Sequence, residues 1–406
     1  MNNKIKAFSI FITVLMLHSC GTNKKKVSGF DSTTVLDLNV SKTKETLKEL
    51  KDVDGFARNI PKNKTNWELV GVKDWCSGFW PGFLWYTYEY SGDESIKKEA
   101  ERFTAPIKSI AYSPARNHDI GFMIYNSFGN GYRLTGNKEY KDVLLAAADT
   151  LATLYNPKVG SILSWPTQKK YRHNTIIDNM MNLELLFWAS KNGGDKNLYE
   201  IAESHAKVTM KNLLRPDGSL YHVGSFDEET GEFIKGVTHQ GYADDSMWAR
   251  GQSWGIYGFA MAYRETGNPD FMETSMKLAD HFLKRLPEDG IPFWDFDDPK
   301  IPNAPKDASA AAIAACGMLE LSKLVKDNAL KDKYIDAARR FVEILSSEAY
   351  YSGDTNQALL LHSTGHHPNN SEIDVPIIYA DYYFMEALLR LKNIEETKKN
   401  QELVKS

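Results

Sequence analysis

G-V-T-H-Q-G-Y-A-D-D-S-M-W-A-R-G-Q-S-W-G-I-Y-G-F-A-M-A-Y-R-E-T-G-N, residues 236–268, opens as a loop and closes as a helix. The loop half crowds together His239, Gln240, Asp244, Asp245, Trp248 and Arg250, more polar and aromatic groups than a plain core requires. The helix half is apolar almost all round, the mark of a helix buried on every side. It stops at Thr266-Gly267-Asn268. A glycine there ends a helix in the left-handed conformation, and the short polar side chain after it caps the next one.

The same punctuation recurs at Gly92-Asp93, Gly136-Asn137 and Gly194-Asp195, so each mark reads as the tight turn of a helical hairpin. The segments before the marks (122–134, 180–190, 256–263) are apolar all round and read as inner helices. The segments after them (138–151, 199–210) are charged and amphipathic and read as outer helices. A further hairpin fits 308–325 with 332–346, residues 379–391 close the chain, and a charged amphipathic helix is expected over 41–60. Little alternates with period two except 219–226 and 232–235, which suit a small hairpin in a loop. Inner and outer helices alternating about six times predict an all-α chain, a single-domain (α/α)6 barrel. A solenoid is the alternative, but it would space its repeats more evenly.

Counting back from the stop glycines locates a site. Seventeen residues before Gly92, Gly136 and Gly267 stand Trp75, Asp119 and Arg250, and sixteen before Gly194 stands Asp178. At a helical rise of about 1.5 Å per residue, each lies roughly 25 Å from its turn. All four therefore meet at one mouth of the barrel. Two carboxylates in an aromatic pocket suit glycoside chemistry, in which environment drives the two pKa values apart and one acid donates a proton. Helix capping is the competing reading for both, since Asp119 precedes I-G-F-M and Asp178 precedes N-M-M-N. Asp93 and Asp195, at the turns, read as caps.

Arg250 suits a carboxylate through bidentate hydrogen bonds, with an ion pair to Asp244 or Asp245 as the alternative. His239 and Gln240 stand beside it as donors, and Trp254 offers a stacking face. His222 stands in the loop after the third hairpin, where a lone histidine is more often at the surface or behind a site than catalytic. His366-His367 resembles a metal pair, but adjacent side chains point apart and no ligand set accompanies them, so neither metal nor cofactor is expected. Trp294-Asp295-Phe296-Asp297 reads as a pocket wall. No phosphate loop, G-x-S-x-G or dinucleotide fingerprint is present.

Composition is that of a soluble globular protein: 406 residues, 42% hydrophobic, 25% charged, nine Trp and 20 Tyr. A net charge of −4 gives no footprint for nucleic acid. Three cysteines are too few for a disulfide framework, and Cys316 in an Ala-rich run reads as a buried thiol. At the N-terminus, Lys4 and Lys6 precede an apolar run over 7–17 and then L-H-S-C, too short to span a membrane comfortably. Residues 1–19 read as a lipoprotein-type signal peptide, with Cys20 the lipidated first residue and a simply cleaved signal the alternative. The expected division is a tether over 20–40, the barrel over 41–396 and a polar tail over 397–406, in a periplasmic lipoprotein that touches the membrane only through its lipid.

Five stretches carry a family resemblance: D-W-C-S-G-F-W-P-G-F-L-W (74–85), H-D-I-G-F (118–122), I-I-D-N-M-M-N-L-E-L-L-F-W-A-S (176–190), T-H-Q-G-Y-A-D-D-S-M-W-A-R-G-Q-S-W-G-I-Y-G-F (238–259) and D-A-S-A-A-A-I-A-A-C-G-M-L-E-L (307–321). Together they resemble the unsaturated glucuronyl hydrolases, glycoside hydrolase family 88, from about Trp67 to Arg390. The T-H-Q-G…D-D-S…W-A-R-G-Q-x-W block is the specific part. The related unsaturated rhamnogalacturonyl hydrolases match that block poorly.

The resemblance implies action on lyase-generated oligosaccharides whose non-reducing uronic acid carries a C4=C5 double bond. An acid protonates C4, water adds at C5, and the hemiketal rearranges and expels the sugar. It implies Asp178 as general acid and then base, and Asp119 as its essential partner. His222, Gln240, Arg250 and Trp254, with His239 beside them, would hold the unsaturated uronate, and Trp75 or Trp80 would stack. Glycosaminoglycan disaccharides from chondroitin, hyaluronan or heparin are the expected substrates, with residues 361–381 and 113–116 setting the sulfation accepted. The competing functions are a rhamnogalacturonyl- or ulvan-type hydrolase, an ordinary inverting glycosidase on the same barrel, and a non-catalytic sugar-binding lipoprotein.

Overall fold

Gly92, Gly136 and Gly267 end their helices at φ 64°, 68° and 72°. The side chains of Asp93, Asn137 and Asn268 then accept the backbone N–H two residues on and start the next helix. At the remaining mark the turn slips by one residue. Gly193 takes the positive φ, 103°, and Asp195 accepts from the Asn197 N–H at 2.9 Å. These features belong to a computed structural model that describes residues 30–168, 170 and 172–405.

In chain order the helices are α1 (Ser32–Glu49), α2 (Phe79–Ser91), α3 (Glu94–Thr104), α4 (Lys108–Ala111), a π-helix (Gly121–Gly129) running into α5 (Asn130–Thr135), α6 (Lys138–Ala152) and α7 (Asn179–Lys191). There follow α8 (Asn197–Leu213), α9 (Ala249–Thr266), α10 (Pro269–Arg285), α11 (Ala308–Leu324), α12 (Asn328–Leu345) and α13 (Ile378–Lys405). α2, the π-helix with α5, α7, α9, α11 and α13 pack side by side into a closed inner ring, since α13 returns against α2. Each has an outer partner, and α1 partners α13, so the first and last helices form the sixth hairpin.

Sequence explains which helix goes where. Every residue of α9 from Ala249 to Ala262 is buried, whereas α10 and α12 bury one face each. Small residues bring the inner ring to backbone contact: a Cβ on Gly317 would stand 3.0 Å from the Tyr257 backbone, and one on Gly78 would strike the Met123 carbonyl at 2.2 Å.

Among the described residues, four short antiparallel sheets decorate the ring: β1 (Phe56–Asn59) with β2 (Glu68–Val70), β3 (Tyr155–Asn156) with β4 (Ser161–Ile162), β5 (His173–Ile176) with β6 (Val223–Phe226) and β7 (Phe233–Val237), and β8 (Ser363–His366) with β9 (Ser371–Val375). The β6–β7 hairpin falls where alternation predicted one, and β5 adds a third strand to it.

Two boundaries differ from expectation. The first helix runs over Ser32–Glu49, not 41–60, so residues 32–40 are helix rather than tether. Its buried positions Leu36, Asn39, Thr43 and Thr46 keep helical spacing, but three of the four are polar and hide the periodicity. Gly55, at φ 126°, then turns the chain into β1. At the other end α13 continues to Lys405 through the expected tail, because Lys, Glu, Gln and Asn without Gly or Pro do not stop a helix. The signal peptide and Cys20 lie outside the described residues. No helix among the described residues is long and apolar enough to cross a membrane.

Candidate active site

Helix polarity concentrates the site. The six inner helices begin at the same end of the ring, where Trp75, Asp119, Asp178, Arg250 and Tyr379 line one cavity of about 190 Å³ and Asp307, starting α11, holds Arg250. Helix N-termini carry partial positive charge, so this mouth favours an anion before any side chain is counted.

The three-stranded sheet sets three of the loops. Ile176, Val223 and Val237 pair across β5, β6 and β7 and share a small apolar cluster with Trp165. Asp178 lies just past β5, His222 just before β6, and His239 and Gln240 just past β7. The pairing therefore brings together residues far apart in sequence. His222 Nδ1 accepts the backbone N–H groups of His239 and Gln240 at 3.1 and 3.0 Å. Its Nε2 lies 3.6 Å from Asp178 Oδ2.

Neither aspartate caps its helix: no side-chain capping bond starts α7 at Asp178, and Asp119 meets the π-helix only through its backbone carbonyl. Each is 8% exposed, buried yet open to the cavity. Burial first, then the charge of Asp74, pushes the Asp119 carboxyl up to about 7. Burial, with Asp119 adding to it and His118 and Arg250 opposing, pushes Asp178 up to about 6. Two acids with raised pKa values and no capping role are equipped to exchange protons near neutrality.

Arg250 is buried and clamps the opposite wall. Nη1 donates to Asp307 Oδ2 at 2.8 Å and to the Thr364 carbonyl at 2.5 Å, and Nη2 donates to the Gly365 carbonyl at 2.5 Å. Its acidic partner is thus Asp307, not Asp244 or Asp245. Gln240 Nε2 donates to the same Gly365 carbonyl at 3.1 Å. On the rim, Arg58 bridges Asp74 and Glu372, each at 2.7 Å.

The structure gathers Trp75, Asp119, Asp178, His239, Gln240 and Arg250 around the cavity. His222 stands directly behind Asp178. Trp254 is fully buried in the floor against Phe122 and Tyr383, with centroids at 5.2 and 5.4 Å, so it supports the site without offering a face. Trp80 points into the outer core against Phe83 and Phe103, one face of α2 away from Trp75. The 294–297 loop is no pocket wall: Trp294 stacks on His367 at 4.2 Å, and Asp295 holds the 242–246 turn from behind. As adjacency predicted, the two histidines part: His366 reaches the cavity, its Nε2 3.2 Å from that of His239. The 361–381 stretch contributes Gly365, His366, Glu372 and Tyr379 to the lining, and 113–116 contributes none.

Arg58, His118, Trp165 and Ile176 complete the lining and were not predicted as site residues, while His366, Glu372 and Tyr379 were expected only as part of the 361–381 stretch. His118 was legible, standing beside Asp119 in H-D-I-G-F. Tyr379 starts an inner helix that has no stop glycine to count from, and Arg58 lies in a strand where a helix was expected.

Comparison with known proteins agrees with this geometry. The family model described as Glycosyl Hydrolase Family 88 matches residues 43–394. A protein named unsaturated glucuronyl hydrolase from Formosa agariphila is 45% identical over 80% of this chain and 82% of its own. One from Streptococcus pneumoniae, named unsaturated chondroitin disaccharide hydrolase, is 36% identical over 84% and 88%. A crystal structure described as an unsaturated glucuronyl hydrolase specific for heparin superposes with a TM-score of 0.85 at 40% identity, covering 90% of this chain and 98% of that one.

Proposed function

The chain belongs to glycosyl hydrolase family 88, and from that premise we propose how its residues release a 4,5-unsaturated uronic acid from glycosaminoglycan-type oligosaccharides left by lyases. It is a glycoside hydrolase. One observation carries the assignment of roles: Asp119 and Asp178, buried in one anion-favouring cavity, cap nothing and are both held near neutrality.

Asp178 delivers its proton to C4 of the vinyl ether. Positive charge develops at C5 and the ring oxygen, water adds at C5, and the carboxylate takes up the proton that the water loses. The hemiketal then opens and expels the sugar. Asp119 is the partner that shares the cavity, Arg250 and the helix N-termini attract the uronate carboxylate, and Trp75 and Trp165 offer ring faces to the sugar. The β8–β9 hairpin borders the cavity and is the element we assign to reading substituents on the leaving sugar.

The test is optical. Unsaturated disaccharides from chondroitin, hyaluronan and heparin absorb in the ultraviolet through the conjugated double bond, and wild-type protein is expected to bleach that signal. Persistence of the signal across sulfated and unsulfated members, with ulvan and pectic products included, overturns the reading. Cleavage of saturated glycosides instead would indicate an ordinary inverting glycosidase.

For the N-terminus we propose a lipid-anchored periplasmic protein, supported by Lys4, Lys6, the apolar run and Cys20 in order. Labelling with an alkyne fatty acid in a Gram-negative host checks it, with incorporation expected in wild type and lost in Cys20→Ser.

A further inference from the structure

Two histidines flank the two aspartates, and backbone groups fix each in a different tautomer. His118 Nδ1 lies 3.2 Å from the Ser164 carbonyl, which can only accept, so Nδ1 carries the hydrogen. His222 Nδ1 receives two backbone N–H groups, so it is bare and any hydrogen sits on Nε2. Burial keeps both rings neutral, His118 down at about 4 and His222 well below its ordinary value. His222 therefore turns an N–H toward Asp178, 3.6 Å away, whereas His118 turns a lone pair toward Asp119, with Nε2 3.1 Å from Oδ1; neither Nε2 has a hydrogen-bond partner as the side chains stand. An ionised carboxylate against a lone pair at that distance is repelled, and a protonated carboxyl is attracted.

Resting on the reading above, we propose that His118 is a positioning residue that holds the proton on Asp119, so that Asp178 alone exchanges its proton with substrate. The other groups facing Asp119 do not compete for this role. Asp74 and Cys76 approach from the turn before α2, with Asp74 bound to Arg58, and Asp178 approaches from α7 under the field of Arg250 from α9. None offers Asp119 a bare nitrogen. The π-helix that begins two residues after Asp119 keeps the pair in register, because Asn182 of α7 accepts the Phe122 N–H at 2.7 Å.

The first test needs no activity. Long-range proton–nitrogen correlation on ¹⁵N-histidine-labelled protein at pH 6.5 is expected to show His118 bare at Nε2 and His222 bare at Nδ1. A His118 imidazolium, or a hydrogen on its Nε2, overturns the proposal even if no substrate has been found, which separates its failure from that of the proposed function. The second test is the pH profile. His118→Leu removes the acceptor, Asp119 ionises more readily, and the alkaline limb of kcat/KM is expected to move down by about one pH unit, a loss of about tenfold at the old limb. His118→Gln, whose amide oxygen can stand at the Nε2 position, is expected to restore the limb. A uniform loss at all pH values with the limb unmoved indicates a merely structural role and overturns the proposal.

Discussion

The inner ring has a cavity at each end, and the larger of the two is not the one that gathers Asp119, Asp178 and Arg250. The cavity near the hairpin turns measures about 400 Å³ and is lined by Tyr86, Tyr125, Trp188, Tyr257, Glu184, Glu386 and Arg390, among others. Each acid there is bonded to an arginine: Glu184 to Arg264, and Glu386 to Arg390. Glu320, just behind, holds Arg264 and Arg390 together. Although burial alone would raise it, those two cations pull Glu320 down to about 2. At the mouth, two equally buried acids have been denied such partners. Of the two arginines that line their cavity, Arg250 is spent on Asp307 and two carbonyls and Arg58 on Asp74 and Glu372, and the carboxyls rise to about 7 and 6. An aromatic floor of Trp75, Phe122, Trp254 and Tyr383 lies between the two environments. Glu184, with a single arginine, is still raised because burial outweighs Arg264, so what sets Asp119 and Asp178 apart from Glu320 is the absence of paired cations.

Swapping one acid at each end gives the largest contrast. Asp178→Asn is expected to lower kcat by about 10²–10⁴ through loss of the proton donor, with the melting temperature kept or raised, since no cap is lost and a buried acid is removed. Glu320→Gln leaves two buried guanidinium groups short of charge. It is expected to cost about 3–5 kcal/mol of stability while the folded fraction keeps its kcat. Parallel kinetics and thermal melts check both. A stable, inactive Glu320→Gln, or an unstable Asp178→Asn, breaks the comparison.

This division was only half legible in the chain. Stop glycines with Asp or Asn behind them are local signals, set by left-handed backbone and short capping side chains, and counting from them placed Trp75, Asp119, Asp178 and Arg250 at one mouth. Asp307 as the partner of Arg250 was not legible, because it depends on α11 packing beside α9. Trp80 and Trp75 share one motif, and only where α2 begins between them tells which faces the cavity. His222 reaches Asp178 through cross-strand pairing of β5 with β6, a non-local contact that no spacing announces.

Arg250→Lys sharpens the comparison from the cationic side. A lysine keeps the charge but cannot hold Asp307, the Thr364 carbonyl and the Gly365 carbonyl in one planar fork. KM for unsaturated disaccharides is expected to rise about tenfold or more, with a smaller fall in kcat, as the β8–β9 hairpin loses its tie to α9. Steady-state kinetics at saturating substrate separate the two effects.

Asp119 and Glu320 should also respond to pH with opposite sign. Asp119 ionises at about 7 folded against an ordinary 3.8, so the native state holds its proton more tightly than the unfolded chain. Its contribution to stability therefore falls as pH rises from about 4 to about 7 and is level beyond. Glu320 behaves in reverse: its contribution is complete above 4.5 and is lost as pH falls through about 2. Asp119→Asn is thus expected to melt close to wild type at pH 4 and several degrees above it at pH 8. An equal offset at both pH values would show that Asp119 is not held neutral by its surroundings.

The smallest effect separates two tryptophans of one motif, Trp75 in the turn before α2 and Trp80 in its first turn. Trp75 is half-buried at the cavity, its ring 5.2 Å from Tyr379 and 5.8 Å from Phe122, whereas Trp80 is 2% exposed between Phe83 and Phe103. Trp75→Phe shrinks a face available to the sugar and is expected to raise KM a few-fold with little change in melting temperature. Trp80→Phe trims a packed ring and is expected to cost about 1 kcal/mol, read as a melting shift of about 2–4 °C, with KM unchanged. The motif D-W-C-S-G-F-W holds both residues, so a rise in KM in the Trp80 variant would mean that the cavity extends across α2 into what is here outer core. An unchanged KM in the Trp75 variant would instead move the stacking surface to Trp165, which lines the same cavity.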